Sequence, residues 1–549
     1  MTSTEAYDGI FVGAGHNALV CAAYLARAGQ SILIVEAASR IGGGTTTHEA
    51  SLPGFRHNLH AYFVRWTPDY TVWNDLELDR HGVKSIWPEV QNAVPFDGGE
   101  RALVTYRSPA KSFESIARVS PADAETYARL YEEYRTLTRL VDAPLRFAPP
   151  LPPDEQEALL QRSALGRRYL DLQRATPLDV VREAFEHEAL RVLVLFNASV
   201  RGYVPNLDVP GLGAIVPLAL FNSHDGRLIE GGTFEVARAI AAAATAHGAE
   251  VTTGTPVAAI DVQNGRAAGV TLEDGRHFQA KRFVVSGVPA PITMLELVGR
   301  SHLDAELRTD LEGYRWLEES LFGVHWALSD RPIFTAERDN PDVPSALNLA
   351  LGYESSADLV AHMEAIRVGA DVADGPAHVS IPTVHDPTQA PAGSHTTFGW
   401  HFVPGPSRRG QWDESAVEDR VAAIVSTYRR YAPNLDDVTL AVVPHSPDDT
   451  ERLIPSMRGG DRHHGSFHPA NWGYDRPTPL MPGYRTPVHG LYLCGASQHP
   501  GGSFTGQPGY NAAGVIAGDL GIEPWWDRID ARKALTDLSE TEPKPATGP

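Results

Sequence analysis

The feature that most constrains the fold lies at the N-terminus, where a strand, a glycine turn, a helix and a second strand follow within about thirty residues. Residues 7–12, YDGIFV, have the apolar character of a short buried strand, and residues 31–37, SILIVEA, have the same character. Between them, GAGHNA precedes an Ala- and Leu-rich helix that ends at Gly29. This order is the context in which a Gly-x-Gly-x-x-Gly/Ala pattern predicts a Rossmann-type dinucleotide-binding unit.

Each position of the glycine turn has a physical role in such a unit. Gly13 permits the tight turn, Gly15 lets a pyrophosphate approach the backbone, and Ala18 lies where the helix packs on the strand. The pyrophosphate would lie on the amide groups at the positive end of the helix dipole. The predicted cofactor contacts of this turn are Gly13, Gly15, His16, Asn17 and Ala18.

The end of the second strand narrows the choice of nucleotide. A carboxylate at Glu36 accepts hydrogen bonds from ribose hydroxyls and repels a 2′-phosphate, which favours FAD or NAD over NADP. A second glycine cluster follows in residues 38–47, ASRIGGGTTT, where a simple NAD domain needs none. We interpret it as a loop over the diphosphate and ribityl chain of FAD, with a flexible surface loop as the alternative. The predicted contacts here are Glu36, Ala37, Arg40, Gly42, Gly43, Gly44 and Thr45.

Charge and cysteine content exclude several classes of function. The chain has 68 acidic and 47 basic residues, and a net charge of −21 repels nucleic acid backbones and anionic membrane surfaces. The two cysteines, Cys21 and Cys494, form neither a dithiol motif nor a zinc pattern, and they fit a reducing cytoplasm. The first residues lack a signal-peptide pattern, and no run of eighteen apolar residues predicts a spanning helix. A peripheral contact with a membrane stays open.

Three segments carry a resemblance to a known family. The N-terminal unit, VEAASRIGGG (35–44) and LYLCGASQHPGGSFTGQPGYNAAG (491–514) resemble the carotenoid-desaturase type of FAD-dependent oxidoreductase. The most similar branch is that of phytoene-dehydrogenase-like proteins, which includes the pyridine nucleotide-disulphide oxidoreductase domain-containing protein 2 group. Flavin amine oxidases are more distantly similar. The likeness is specific at both ends of the chain, whereas the middle matches only in layout.

The resemblance implies an α/β fold with two domains. A Rossmann-type FAD-binding domain would be assembled from the discontinuous segments 1–75, 208–295 and 450–528. An α+β substrate-binding domain with a helical lid would comprise residues 76–207 and 296–449. We expect residues 529–549 to form a disordered tail.

The resemblance also assigns cofactor contacts outside the N-terminal unit. The backbone of Val257 would meet the adenine, and residues 491–495 would form a further strand of the same sheet. The helix that begins near residue 506 would direct its N-terminus at the flavin pyrimidine, although simple turns could also explain these glycines. The contacts implied here are Gly495, Ala496, Gly506, Gln507, Pro508 and Gly509. We expect FAD to bind non-covalently, because both cysteines belong to close-packed elements.

The remaining sequence predicts helices and strands on the substrate side. Helices are predicted over residues 120–141 and 176–196, each with a capping Ser or Thr, then Pro, then Asp at the third position. Alternating apolar and polar residues predict strands in segments 320–330, 377–386 and 395–405. Asn264-Gly265 and Asp274-Gly275 predict hairpin turns.

Catalytic residues are weakly indicated, because a flavin performs the difficult step and protein groups hold the reacting carbon against it. The candidates are His499, in the segment expected to meet the flavin, and His60. The histidine-rich segment 461–472 either lines the flavin pocket or forms a surface loop. We predict no metal site there, because Gly465 and Pro469 oppose a helix that would align its histidines.

The function predicted from these features is FAD-dependent oxidation. A hydride would pass from a carbon of a hydrophobic, isoprenoid- or lipid-like substrate to the flavin, and the product would gain a C=C bond. The alternatives are a flavin amine or amino-acid oxidase and a non-redox lipid-binding escort protein on the same fold. The intact glycine fingerprint and Glu36 count against the escort. Substrate identity, electron acceptor and oligomeric state stay open.

Overall fold

The computed structural model describes residues 5–65, 71–200, 206–370, 372, 375–405 and 410–541. The N-terminal unit forms as the sequence predicts: strand Ala6–Val12, helix His16–Arg27 and strand Ile32–Val35. The two strands pair in parallel, and the backbone turns between strand and helix at Gly13, whose φ is 91°. A positive φ of this kind favours glycine.

Segments distant in sequence share one seven-stranded sheet. Strand Ala6–Val12 also pairs in parallel with His277–Ser286, whose last residues pair in parallel with Leu491–Leu493. The predicted turns at residues 264–265 and 274–275 join the antiparallel strands of this sheet. Its strands in order are Glu250–Thr252, Ile32–Val35, Ala6–Val12, His277–Ser286, Arg266–Leu272 and Val257–Gln263, with Leu491–Leu493 beside His277–Ser286.

Three helices rich in small residues pack together on this sheet. Helix His16–Arg27 lies between Phe234–Thr245 and Gln507–Leu520. The last of these approaches so closely that a Cβ at Gly509 would lie 2.1 Å from the carbonyl oxygen of Asn17. Gly509 therefore serves helix packing, and its predicted contact with the flavin stays a prediction.

A second seven-stranded sheet carries the strands predicted on the substrate side. The segments predicted around residues 320–330, 377–386 and 395–405 all contain strands, and the longest two pair antiparallel along their full length. The strands in order are Thr439–His445, Glu319–Leu328, His395–Pro404, Ala377–Ser380, Asn348–Leu351, Val90–Phe96 and Arg101–Tyr106. The mixed α/β fold is thus as predicted, whereas the domain boundaries stay a prediction.

The predicted helix over residues 176–196 is two helices. Pro177–Ala184 and Glu188–Ala198 are separated by a break, where the Asp123 carboxylate accepts hydrogen bonds from the main-chain N–H groups of Glu186 and His187. Asp123 therefore caps a neighbouring helix instead of completing a capping box in its own. The Ser120 hydroxyl does accept from Asp123 N at 3.3 Å, as predicted.

Further helices surround the two sheets. The other α-helices are Thr71–Asp75, Pro109–Ala117, Pro121–Leu137, Ala143–Arg146, Pro153–Leu160, Ala164–Arg174, Ile215–Phe221, Ala305–Glu312, Ser356–Arg367, Glu414–Tyr431, Leu435–Val438, Pro447–Leu453 and Ala531–Thr541. Segments Thr138–Asp142 and Ile292–Gly299 are π-helical. Two small sheets consist of Thr47–His48 with His57–Asn58, and of Val64–Arg65, Gly226–Ile229 and Ser85–Ile86.

The C-terminal tail was expected to be disordered, but its first part forms a helix. Helix Ala531–Thr541 buries Leu535 and Leu538, and Arg532 pairs with Glu155 of another helix. The polar composition of the segment concealed an amphipathic face that packs on the chain. Residues 542–549 lie outside the described residues.

Candidate active site

One cavity of about 900 Å³ adjoins both large sheets. Val12 and Val35, at the carboxyl ends of strands of the first sheet, line it together with Leu321, Trp400 and Phe402 of the second. Ligands of open α/β sheets bind outside the carboxyl ends of the strands, and this cavity lies in that position.

One side of the cavity, here called the glycine-rich half, consists of predicted cofactor contacts. These are Gly13, Gly15, His16, Asn17, Ala18, Glu36, Ala37, Arg40, Gly43, Gly44, Thr45, Val257, Gly495 and Ala496. Segments more than 450 residues apart in sequence thus meet on one surface, as the resemblance implied.

Backbone shapes the glycine-rich half. A Cβ at Gly15 would meet nothing within 4 Å, so this position opens onto the cavity. The second glycine cluster folds against the first turn: Gly42 N donates to Ala14 O at 2.8 Å, and a Cβ at Gly43 would lie 3.3 Å from the Cα of Gly15. The two glycine segments therefore form one groove rather than independent turns.

Glu36 lies at the end of its strand in this groove. Its Oε2 accepts a hydrogen bond from Ala14 N at 2.6 Å, and its Oε1 accepts one from Ala38 N at 2.8 Å. Burial raises the pKa of the Glu36 carboxyl, and these backbone N–H groups counteract that rise. A carboxylate has about four lone-pair sites, so each oxygen can accept a further hydrogen bond from a ribose hydroxyl.

Several features of the groove fit a polar, anionic cofactor such as FAD. Gly15 is the N-cap residue of helix His16–Arg27 and has no side chain to cap it, and the first turn contains no acidic residue. The amides of this turn are therefore available to a pyrophosphate. Asn17 Oδ1, Thr46 Oγ1 and both ring nitrogens of His463 are buried without a hydrogen-bond partner among the described residues. These three residues line the cavity, where a bound cofactor could satisfy them.

Some predicted cofactor contacts do not line the cavity: Gly42, Gly506, Gln507, Pro508 and Gly509. Gly506 precedes helix Gln507–Leu520 with a left-handed backbone, at φ 71°. The loop before it, Ser503 to Thr505, lines the cavity instead. In this C-terminal segment, the residues that line the cavity therefore lie a few positions before the predicted ones at 506–509.

His499 was expected at the flavin, but the structure places it elsewhere. Its ring Nε2 bonds to Leu145 O at 2.9 Å, and its main-chain oxygen accepts from Tyr484 Oη at 2.6 Å. Since His499 does not line the cavity, it connects structural elements and the catalytic assignment is withdrawn.

The opposite side of the cavity, here called the aromatic half, was not predicted residue by residue. It comprises Tyr62, Phe63, Leu321, Trp400 and Phe402. Trp400 stacks on Phe398 with ring centroids 4.3 Å apart. The signal was present in HTTFGWHFVPG, where aromatic residues at every second position of a strand share one face.

Two arginines also line the cavity. Arg65 donates to Asn197 Oδ1 at 2.6 Å, and Arg462 forms a buried ion pair with Glu319. Burial raises the pKa of Glu319 to about 7, although Arg462 counteracts the rise. Arg462, His463 and His464 belong to the histidine-rich segment, and all three line the cavity.

His60, the other predicted catalytic residue, does line the cavity. Its Nε2 bonds to Thr450 Oγ1 at 3.0 Å, and Thr450 Oγ1 bonds in turn to His445 Nε2 at 3.1 Å. Its Nδ1 has no hydrogen-bond partner among the described residues. Burial lowers the pKa of His60 well below its usual value, so the ring is neutral.

The described residues form neither a metal site nor a membrane-spanning helix. They contain no group of three or more His, Cys, Asp or Glu side chains arranged to hold a metal ion. Nor does any helix within them combine the length and the apolar character needed to cross a membrane.

Comparison with known families identifies the chain. Residues 19–509 match the family described as flavin containing amine oxidoreductase. The chain belongs to this family. This flavin amine oxidoreductase family member is therefore an FAD-dependent oxidoreductase, as the glycine fingerprints predicted.

Relatives of this family member cover nearly its whole length. It is 32% identical to one of the subunits of limonene dehydrogenase from Castellaniella defragrans, over 96% of this chain and 98% of that one. It is 29% identical to pyridine nucleotide-disulfide oxidoreductase domain-containing protein 2 of Rattus norvegicus, over 94% of each. Cyclohexylamine oxidase of Brevibacterium oxydans shares the fold, with a TM-score of 0.55 at 18% identity over 94% of this chain and 99% of that one. The resemblance drawn from the terminal motifs is confirmed.

Proposed function

We propose that FAD binds non-covalently along the glycine-rich half. Glu36 and the backbone at Val257 would hold the adenosine, and the first turn of helix His16–Arg27 would hold the pyrophosphate. Gly495 and Ala496 would face the flavin. Cys21 and Cys494 are both fully buried and do not line the cavity, which supports non-covalent binding.

The reaction we propose is dehydrogenation of a hydrophobic, isoprenoid- or lipid-like substrate. The observation that carries this proposal is the aromatic half, because it adjoins the proposed cofactor groove within one cavity. FAD, when bound, supplies the hydride acceptor. Tyr62, Trp400 and Phe402 would bury the substrate, exclude water and hold its carbon near the cofactor.

His60 is the proposed acceptor for the proton that leaves with the hydride. It lines the cavity, and its Nδ1 carries no hydrogen bond from the described residues. If Nε2 donates to Thr450, Nδ1 is the basic nitrogen. Loss of a hydride and a proton from adjacent carbons would leave a C=C bond.

The relatives support a dehydrogenase on an apolar substrate. The Castellaniella relative is named as part of a limonene dehydrogenase, and limonene is a hydrocarbon. Amine oxidation on the same fold is the alternative, and the titration described below distinguishes the two reactions.

We further propose a cytoplasmic location. The thiols of Cys21 and Cys494 do not form a disulfide. The pKa of the Cys21 thiol is raised mainly by burial and further by Cys494, which lies close to it. Neighbouring thiols that remain reduced suit a reducing compartment. A peripheral membrane contact is not assigned to any surface.

Anaerobic titration of the yellow protein tests the proposed reaction. We expect hydrophobic isoprenoid or lipid substrates to bleach the oxidised flavin absorbance, and primary amines and amino acids to leave it unchanged. Bleaching by amines alone would establish the oxidase alternative. A colourless protein that takes up no added FAD would support the escort alternative.

A further inference from the structure

The aromatic half contains a buried ion pair. The side chains of Arg462 and Glu319 are only 9% and 0% exposed, and Arg462 Nη2 donates to Glu319 Oε1. Ionised groups are buried at a large desolvation cost, which is offset only when their remaining hydrogen-bonding capacity is also used.

That capacity is only partly used by the protein. Arg462 Nη1 and Glu319 Oε2 are both buried without a hydrogen-bond partner among the described residues. Of the two residues, Arg462 lines the cavity and Glu319 does not. A ligand in the cavity could therefore engage the arginine, whereas the glutamate is held behind it.

Apolar side chains also lie near this donor. The Arg462 guanidinium carbon lies 5.3 Å from the centroid of the Phe402 ring, and Leu321 and Trp400 line the same cavity. An unpartnered N–H group in such surroundings distinguishes a ligand with an oxygen from one without, because the donor stays unsatisfied in the second case.

We infer that the substrate is a hydrophobic molecule with a neutral oxygen, either carbonyl or hydroxyl, that accepts a hydrogen bond from Arg462. This inference rests on the proposed function and adds a polar anchor to its apolar substrate. Binding the oxygen at a fixed point of the aromatic wall would also fix which carbon reaches the cofactor.

The charge balance at Arg462 favours a neutral oxygen over a carboxylate. Glu319 pairs with the Arg462 guanidinium, and the buried carboxyl of Asp461 interacts electrostatically with both Arg476 and Arg462, so these two basic groups are already balanced by two acidic ones. Asp461 itself accepts from the N–H groups of Leu317 at 2.9 Å and Gly465 at 2.8 Å. A ligand carboxylate would add another negative charge to this buried site, and like charges in one site disfavour ionisation.

Calorimetric titration of the FAD-loaded protein with three probes on one carbon skeleton tests the inference. The probes are limonene, the ketone carvone and the carboxylate perillate, at pH 8, above the pKa of Glu319 of about 7. We expect carvone to bind at least about tenfold more tightly than limonene, as for a hydrogen bond to a charged group, and perillate to bind more weakly than carvone.

Paired variants locate the source of this preference. Glu319→Gln with Arg462→Met removes both charges without leaving one buried alone, and we expect it to remove the preference for carvone. The matched control is Glu157→Gln with Arg174→Met, an ion pair of 2.8 Å that does not line the cavity and whose side chains are 55% and 58% exposed. The control makes the same change of residue types and should keep the preference.

The outcomes separate the inference from the proposed function. Equal binding of limonene and carvone by the unmodified protein would overturn the inference alone, as would tightest binding of perillate. A preference that survives in the Glu319→Gln, Arg462→Met protein would assign the anchor to another residue and also overturn it. If neither limonene nor carvone binds, the hydrophobic cavity itself is misassigned, and the proposed function fails together with the inference. The comparison within the unmodified protein decides the matter even if the paired variant does not fold.

Discussion

The two halves of the cavity differ in what forms their surface, which is main chain in one and side chains in the other. The glycine-rich half is a surface of backbone, in which two glycine segments hydrogen-bond to each other and a helix presents uncapped amides. The aromatic half is a surface of side chains, contributed by two paired strands of the second sheet and by residues 62–63, which are distant from them in sequence. Backbone geometry depends on a few glycines in a local motif, whereas a side-chain wall depends on how whole elements pack.

This difference suits the tasks proposed for each half. A pyrophosphate and two sugars are the same in every protein that binds FAD, so a local backbone motif serves all of them. A substrate is specific to the enzyme, and side chains can change without disturbing the sheet that carries them. Substitutions in the first half should therefore affect cofactor content, and those in the second should affect substrate choice and stability.

The sharpest test of the backbone half is Gly15→Val. Gly15 has φ −63° and ψ 157°, which valine adopts without strain, and a Cβ there meets nothing within 4 Å. The new side chain would occupy the space proposed for the pyrophosphate. We expect near-complete loss of FAD, measured as flavin absorbance per protein, with an unchanged far-ultraviolet circular dichroism spectrum.

The control for this variant is Gly514→Ala in helix Gln507–Leu520. The nearest atom to a Cβ at Gly514 is Arg528 Cδ at 3.5 Å, an ordinary contact. Alanine in a helix should retain FAD and leave the protein at least as stable. Full flavin content in the Gly15→Val protein would show that the groove does not hold the pyrophosphate.

Gly509→Val should instead break the packing beneath the groove. A Cβ at Gly509 would overlap the carbonyl oxygen of Asn17 at 2.1 Å, so the two helices must move apart. We expect the free energy of unfolding to fall by about 3 kcal/mol or more, at or beyond the usual range for overpacked cores. Denaturant titration measures this loss, and an unchanged midpoint together with lost FAD would support the flavin-facing role first expected for Gly509.

The same contrast explains which parts of the molecule the sequence predicts. The unit from Ala6 to Val35 follows from a local pattern, and the turn residues Gly13 and Gly15 lie where the pattern requires. Residues 491–505 join that sheet and cavity through a resemblance of motifs rather than through local physics. Their exact register was missed, since the loop Ser503 to Thr505 lines the cavity and the following helix start does not.

The side-chain half was beyond local prediction for a physical reason. Alternation in residues 395–405 predicts a strand, but it does not state which face meets a cavity or which distant residue lies opposite. Tyr62 reaches this wall from the N-terminal region, and its hydroxyl bonds to His378 Nε2 at 2.9 Å. His499 shows the converse error, because a polar residue in a motif segment turned out to bond a distant carbonyl.

Glu36→Ala tests the one side chain on which the backbone half depends. Its carboxylate would lose the hydrogen bonds proposed to the ribose, worth roughly 1.5–3 kcal/mol each for a charged group. We expect FAD affinity to fall by about ten- to a hundredfold. The free energy of unfolding should also fall, by a smaller amount, because Ala14 N and Ala38 N each lose a hydrogen-bond acceptor. Equilibrium dialysis of FAD measures the affinity, and an unaltered dissociation constant would remove Glu36 from the cofactor site.

The smallest effect expected concerns a histidine behind the aromatic half. His325 is 1% exposed, and neither of its ring nitrogens has a hydrogen-bond partner among the described residues. Its neighbours are His57, at 5.5 Å between ring centroids, and Phe398, at 6.3 Å. Burial lowers the pKa of His325 well below its usual value, and the nearby rings of His57, His445 and His60 add to that effect.

His325→Leu should therefore stabilise the protein, and more so in acid. At pH 8 leucine removes an unsatisfied buried polar group, which costs about 1–3 kcal/mol. Below pH 6.5 the unfolded chain binds a proton at His325 that the folded state refuses, so the native protein loses stability as pH falls, by about 1.4 kcal/mol for each full unit. Leucine lacks this loss, and the difference in melting temperature between variant and unmodified protein should be larger at pH 5.5 than at pH 8. The matched control is the exposed His247→Leu, which makes the same change of residue type on the surface. An equal difference at both pH values would mean that folding does not lower the pKa of His325.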